Sequence, residues 1–297
     1  MQSRVADMAF LGDTLYGALN GTGIATIRID ASGQASFDYH SDPLIFGHRT
    51  ITTLVPRQGS LAIHLYYNAL LNDAPQKDLA IGGISLVSYL PGQDNFSFLI
   101  PPFQKKNPDW EAAGFAPESE NSFDFEWKYT DARETRFAYT RYHADTLAEE
   151  SADRTTYMAA LGVPSISGSA VPSNLAGFFS ACRGAVPSLK PGTALQFSLR
   201  SRESPVRRSY RSKPESDSAV VIPVYEEQGT LYALLPEGRI LTALPDGAPR
   251  SVSLPRLPQG FHYTDLVKSG GYFVIAWEES SFTDVGRAGI LVQPLPR

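Results

Sequence analysis

One cysteine in 297 residues, Cys182, excludes an intramolecular disulfide and with it a disulfide-stapled fold. That leaves the compartment open, because exported proteins also lack disulfides. No apolar run approaches the roughly 18 residues that a bilayer-spanning helix requires. Met1-Gln2-Ser3-Arg4 leads straight into a strand with no apolar targeting segment. A natural start often carries a few loose residues, so a mature exported or periplasmic form is favoured over a cytoplasmic one. Basic residues are outnumbered, 26 against 31, and the net charge of −5 argues against nucleic acid as the main partner. There is no G-x-S-x-G, no H-E-x-x-H, no phosphate-cradling glycine loop and no dinucleotide fingerprint. Common hydrolases and NTPases lose ground accordingly, and no cofactor is implied. An enzyme whose site is scattered along the chain is untouched by these absences.

What the chain does have is a repeat. Asp7-Met8-Ala9-Phe10-Leu11-Gly12-Asp13-Thr14-Leu15-Tyr16 returns in altered form as Asp265-Leu266-Val267-Lys268-Ser269-Gly270-Gly271-Tyr272-Phe273-Val274. In each copy Asp leads an apolar strand, Gly opens a two-residue turn, and a second apolar strand follows. A third copy, Thr230–Ile240, matches Thr14–Ile24. Such units bury their faces only against their neighbours. The 24 Gly and 22 Pro suit a chain of many short strands and turns.

Residues 5–45 read as a four-stranded meander, and residues 48–103 repeat it. Lys105–Asn121 reads as a polar loop. Phe123–Tyr129 and Thr135–Tyr142 alternate as a hairpin. Ala148–Leu161 and Asn174–Ala185 look helical, and strand character returns at Thr193–Leu199. This predicts a helical insertion over 145–192 within a third unit. Residues 219–258 restore the four-strand pattern, with Pro223 expected at an edge or bulge. The last unit shows three strands, a deficit that strand donation from the other terminus would explain. The expectation is a single all-β domain over 1–297, a β-propeller of about five four-stranded blades, or six if the insertion hides another hairpin. The repeats resemble the loosely conserved NHL or quinoprotein-like propellers over about two-thirds of the chain. They lack the Trp-Asp and Gly-His pairs of WD40 repeats and the double-Gly mark of kelch repeats.

In a propeller, the loops leading into the innermost strands converge at the channel mouth. By strand phase these supply Asp7, His48, Arg49, Asp217, His262 and Asp265. Two imidazoles with carboxylates could hold a divalent metal or polarise a ligand; the same residues could equally cap turns singly. His40, His64 and His143 receive no role. Carboxylates cluster at Glu118, Glu120, Asp124 and Glu126, then at Glu149, Glu150 and Asp153, patterns that also suit a solvated face. The segment Arg200–Lys213, with Arg202, Arg207, Arg208 and Arg211, carries six cations against one anion. It could grip an anionic partner or be an exposed hairpin. Cys182 reads as a buried inert thiol, and Phe178 and Phe179 as an apolar contact for a partner. Two functions follow: a non-catalytic scaffold for a protein partner or small ligand, or a propeller hydrolase or lyase with a polar or metal site at the channel mouth.

Overall fold

The computed structural model describes residues 5–46, 49–67, 84–100, 111–146, 148–160, 173–187, 189–190, 192–202, 208–211, 219–244, 249–280 and 287–295. Among them the architecture is an all-β propeller of five small sheets with three short helices. The chain divides into two compact units, one of residues 5–28 and 36–160, the other of residues 1–4, 29–35 and 161–297.

The first unit holds three four-stranded antiparallel sheets. β1 (Val5–Leu11), β2 (Thr14–Leu19), β3 (Gly23–Ile29) and β4 (Ala35–His40) form the first in sequence order. Helix α1 (Pro43–Phe46) leads to β5 (Arg49–Arg57), β6 (Ser60–Tyr67), β7 (Ile84–Leu90) and β8 (Asn95–Ile100) of the second. β9 (Glu111–Pro117), β10 (Ser122–Thr130), β11 (Thr135–His143) and β12 (Ala148–Ala152) form the third, and α2 (Arg154–Ala160) follows.

The period of two along β6 explains how the second sheet serves both neighbours. Leu61, Ile63 and Leu65 join Ala9, Tyr16, Ile24 and Phe46 in one core. Ala62, with Leu86 and Val55, joins Phe123, Phe125, Trp127 and Tyr142 in another. Each fully buried Leu or Ile contributes about 1.5–3 kcal/mol, so both seams draw on one alternating strand.

Two expectations for the third sheet are corrected. Residues 111–117, within the expected polar loop, are strand β9, paired along β10 from Phe123↔Pro117 to Lys128↔Glu111. Ala148–Ala152, expected to be helical, is strand β12, with Arg141 opposite Glu150. The third sheet is therefore complete before α2 begins, and the helices connect the third and fourth sheets instead of interrupting the third.

The second unit contains α3 (Ser173–Ala185), β13 (Ala194–Ser201), β14 (Arg208–Arg211), β15 (Ala219–Glu227), β16 (Thr230–Leu235), β17 (Arg239–Ala243) and β18 (Arg250–Ser253). The strands make a six-stranded sheet, ordered β14-β13-β15-β16-β17-β18, in which β13 runs parallel to β15. Pro223 pairs with Ser198 on the β13 side, while pairing with β16 begins only at Val224, so its missing N–H falls where one flank is open. β19 (Phe261–Ser269), β20 (Tyr272–Glu279) and β21 (Ala288–Pro294) make the fifth sheet. Among the described residues it stays three-stranded, and no strand from residues 5–40 joins it, against the expectation of strand donation. Instead, the turn at 30–34 lies against this sheet: Tyr272 O–H donates to the Ala31 carbonyl at 3.0 Å.

The repeat has a geometric counterpart. A β-bulge precedes Asp7 in β1, Thr53 in β5 and Asp265 in β19, at matching points of their hairpins. Gly12 and Gly270 open the two turns at φ 59° and 56°, in the left-handed region that a side chain resists.

Candidate functional site

Each bulge re-aims the residue that follows it. In the first unit this is Asp7, 2% exposed. Its Oδ1 accepts the Met8 N–H at 2.9 Å, and its Oδ2 accepts the Leu54 N–H of β5 at 2.7 Å. The carboxylate thus binds the leading strands of two sheets together. His48 and Asp217 lie outside the described residues, and Arg49 is described only as the first residue of β5.

In the second unit Asp265, 6% exposed, repeats half of this arrangement. Its Oδ1 accepts the Leu266 N–H at 2.9 Å, as Asp7 does with Met8. Its Oδ2 accepts instead from Arg200 Nη2 at 3.0 Å. Arg200 is 8% exposed, on the strand whose Leu195, Phe197 and Leu199 enter the apolar core. On the same face of the fifth sheet, two residues along β20 from the partner of Asp265, stands Glu278. Its Oε1 lies 3.2 Å from His262 Nε2, while His262 Nδ1 meets Ser280 Oγ at 3.0 Å. His262 is exposed and Glu278 is buried.

The predicted mouth residues therefore fall into two local arrangements, one in each unit. Chemically, a carboxylate that accepts a backbone N–H and a guanidinium N–H is occupied as an acceptor. The His262–Glu278–Ser280 group can present an imidazole to solvent and hydrogen-bond a polar ligand. No group of three or more His, Cys, Asp or Glu side chains is poised for a metal ion among the described residues. No helix described is long and apolar enough to cross a membrane.

The basic segment does not act as one exposed stretch. Arg200 is buried against Asp265, and the Arg202 N–H donates to the Glu226 carbonyl at 3.0 Å. Arg208 is exposed on β14, Arg211 is placed by backbone pairing with Gln196, and Arg207 lies outside the described residues.

The aromatic pair of α3 is also corrected. Phe178 and Phe179 are 2% and 7% exposed, and Phe179 stacks on Phe197 with centroids 3.7 Å apart and planes 7° apart. Helix α3 uses its apolar face on its own sheet, so neither ring is available to a partner. Cys182 lies in the same core, where burial pushes its thiol up to about 12, too high for a nucleophile at neutral pH.

Of the acidic cluster, Asp124 is fully buried and takes Arg141 in a two-point contact, Nε to Oδ1 at 2.7 Å and Nη2 to Oδ2 at 3.0 Å. Glu126 Oε2 accepts from Tyr139 O–H at 3.0 Å. Glu150 Oε1 stands 3.3 Å from His143 Nε2. These are paired groups across the strands of one sheet. His64, on β6, is driven down to about 3 by burial and stays neutral.

Sequence reasoning missed Arg200 as a site residue, because it opens a run of cations that reads as solvated. The phase of the strand gives no signal either, since Leu195, Phe197 and Leu199 enter the core from one face and Arg200 lies on the other.

Several solved structures share a loose likeness. The chain matches the AtxE2 isopeptidase at 11% identity and a TM-score of 0.38, covering 100% of itself and 52% of that chain. A thermostable family-43 glycoside hydrolase matches at 9% identity and 0.41, with 100% and 91% covered. Sqt1 of Saccharomyces cerevisiae matches at 12% identity and 0.36, with 96% and 82% covered. The chain spans only 42% of a prolyl endopeptidase chain that it also matches. None of these TM-scores reaches 0.5, and none bears on what this chain binds or does. No curated protein sequence matches it. A family model does match residues 2–297, nearly the whole chain, and the protein belongs to that family of unknown function, DUF8086.

Proposed function

We propose that this protein is a non-catalytic binding scaffold, with a protein as its partner. The observation that carries the reading is the use made of the repeated aspartates. Asp7 and Asp265 each hold a backbone N–H of their own strand and a second donor from another sheet, Leu54 N–H or Arg200. Side chains expected to converge on a ligand thus do structural work. Support for a partner comes from the outer strand β4, where Phe37 and Tyr39 are 41% and 62% exposed with near-parallel rings 6.3 Å apart. Large aromatics left in water on one strand face are the composition that interface centres favour.

The competing reading, a hydrolase or lyase with a polar or metal site, makes a different demand on His262 and Asp265. Titration calorimetry with Zn²⁺, Ca²⁺ and Mn²⁺ separates the two. The scaffold reading expects no specific heat with any of the three ions. Micromolar binding that disappears in His262→Ala would overturn it in favour of a metal site. For the partner, Phe37→Ala with Tyr39→Ala should abolish capture of any protein that the wild-type chain retains in a pull-down; unchanged capture would remove β4 as the contact.

A further inference from the structure

One hydrogen-bonded chain of side chains lies apart from the residues considered so far. Thr26 in β3 and His40 at the end of β4 belong to the first sheet, while Asp94 stands in the turn between β7 and β8 of the second. Thr26 Oγ1 is 2.9 Å from His40 Nε2, and His40 Nδ1 is 2.7 Å from Asp94 Oδ1. Tyr89 O–H also donates to Asp94 Oδ1, at 2.9 Å, and the His40 ring lies 5.1 Å from the Tyr89 ring. Asp94 adopts φ 47°, a conformation Asp tolerates better than most residues, and this turns its carboxylate towards the imidazole.

The protons of this chain follow from the donor inventory. A carboxylate only accepts, so His40 Nδ1 carries a hydrogen. In the neutral ring Nε2 is then the acceptor, and Thr26 O–H donates to it. Tyr16, whose phenol is kept protonated by burial, is also hydrogen-bonded to Thr26. The hydroxyl therefore faces a base that a carboxylate orients, the arrangement that activates an alcohol as a nucleophile. The Tyr89 and His40 hydrogen bonds, in that order, hold the Asp94 carboxyl below its ordinary value, so it remains the anionic member.

We propose that Thr26 is a self-acylation site, taking the acyl group of a small activated ester or thioester with His40 as general base and Asp94 as its orienting carboxylate. Thr26 Oγ1 attacks the acyl carbon and a new C–O bond forms, while the hydroxyl proton passes to His40 Nε2. As the bond to the leaving oxygen or sulfur breaks, His40 returns that proton to the leaving group and is neutral again. The product is one ester per chain. Thr26 is 4% exposed and the His40 side chain 13%, so a compact donor must reach them past the Asp94 side chain, which is 66% exposed. A stoichiometric modification is compatible with the scaffold reading and rests on different residues, so either can fail alone.

The test is incubation of the full chain with p-nitrophenyl acetate at neutral pH, followed by intact-mass measurement and peptide mapping. One acetyl group on Thr26 is expected. Its rate of appearance should fall roughly 100- to 10,000-fold in His40→Ala, the range for loss of a general base. It should also fall in Asp94→Asn, whose side chain is 66% exposed and whose folding is checked separately, which guards against a misfolded His40 variant. Thr26→Ser should still be labelled. Acetylation confined to lysines, no adduct in folded wild-type protein, or an equal rate in folded Asp94→Asn would overturn the proposal. In each of those cases the relay serves only to join the first two sheets.

Discussion

Replacing Asp7 asks directly whether the repeated aspartate is structural. Asp7→Ala strips the acceptor from two N–H groups, Met8 and Leu54, in residues that are 0% and 3% exposed. A buried donor left without its partner costs about 1–3 kcal/mol. Two such donors, with some relief from water entering the vacated volume, give a loss of about 3 kcal/mol. At about 2–4 °C per kcal/mol for chains of 150–250 residues, the melting temperature should fall by roughly 6–12 °C. Asp7→Asn should fall by less, since its amide oxygen still accepts one N–H while its NH₂ opposes the other. The measurement is thermal and urea unfolding in EDTA. A carboxylate held in place for a ligand behaves oppositely, because functional sites carry destabilised groups and their removal commonly leaves stability unchanged or raised. An Asp7→Ala protein that melts with the wild type would therefore refute the reasoning and return Asp7 to the list of ligand-binding candidates.

Asp265→Ala should cost about 3–5 kcal/mol, because it leaves Arg200 buried without its counter-charge; urea unfolding should recover part of that loss in Asp265→Ala with Arg200→Met, and no recovery would show that the pair is not the source. Phe179→Ala should destabilise by about 3–5 kcal/mol through the cavity left beneath α3, whereas a variant of wild-type stability with lost partner binding would restore the ring to a docking role. Cys182 should resist iodoacetamide at pH 8 in the native chain and react once urea unfolds it, followed by mass spectrometry; native labelling would contradict its burial. Asp94 has a lowered folded-state pKa, so its stabilising contribution is present above the ordinary Asp value and is lost as pH falls through the lowered one. The melting-temperature gap between wild type and Asp94→Asn should accordingly be widest near neutral pH and close as pH falls through the lowered pKa, and a gap that widens on acidification would reverse the assignment.

The strands most legible in the sequence are those that alternate. β6 and β10 display their period of two openly, and both sheets that contain them were readable with their hairpin partners. β9 and β12 were not, for reasons of residue type. Glu111-Ala112-Ala113-Gly114-Phe115-Ala116-Pro117 has small residues where a strand normally shows large ones, and so carries little periodic signal. Ala148-Glu149-Glu150-Ser151-Ala152 is built from good helix formers. What makes it a strand is β11 beside it, whose Arg141 faces Glu150 and whose His143 lies beside the same carboxylate. Local propensity loses to pairing there, and pairing is not visible one segment at a time.

The aspartates show why the site was harder to read than the fold. An Asp after a β-bulge is turned toward the neighbouring sheet, and ligation and capping both require that orientation. The residue type and spacing are identical in the two cases; only the donor on the other side differs. For Asp7 that donor is the backbone of Leu54, 47 residues away, and for Asp265 it is Arg200, 65 residues away. The second of these was obscured by its own surroundings, a cation at the head of a basic run. On β13 the alternation puts Leu195, Phe197 and Leu199 on the face that enters the core and Arg200 on the opposite face, so its burial beside Asp265 is not legible from strand phase. The cation and its carboxylate meet only once the fourth and fifth sheets are in place, and neither segment read alone shows that pairing.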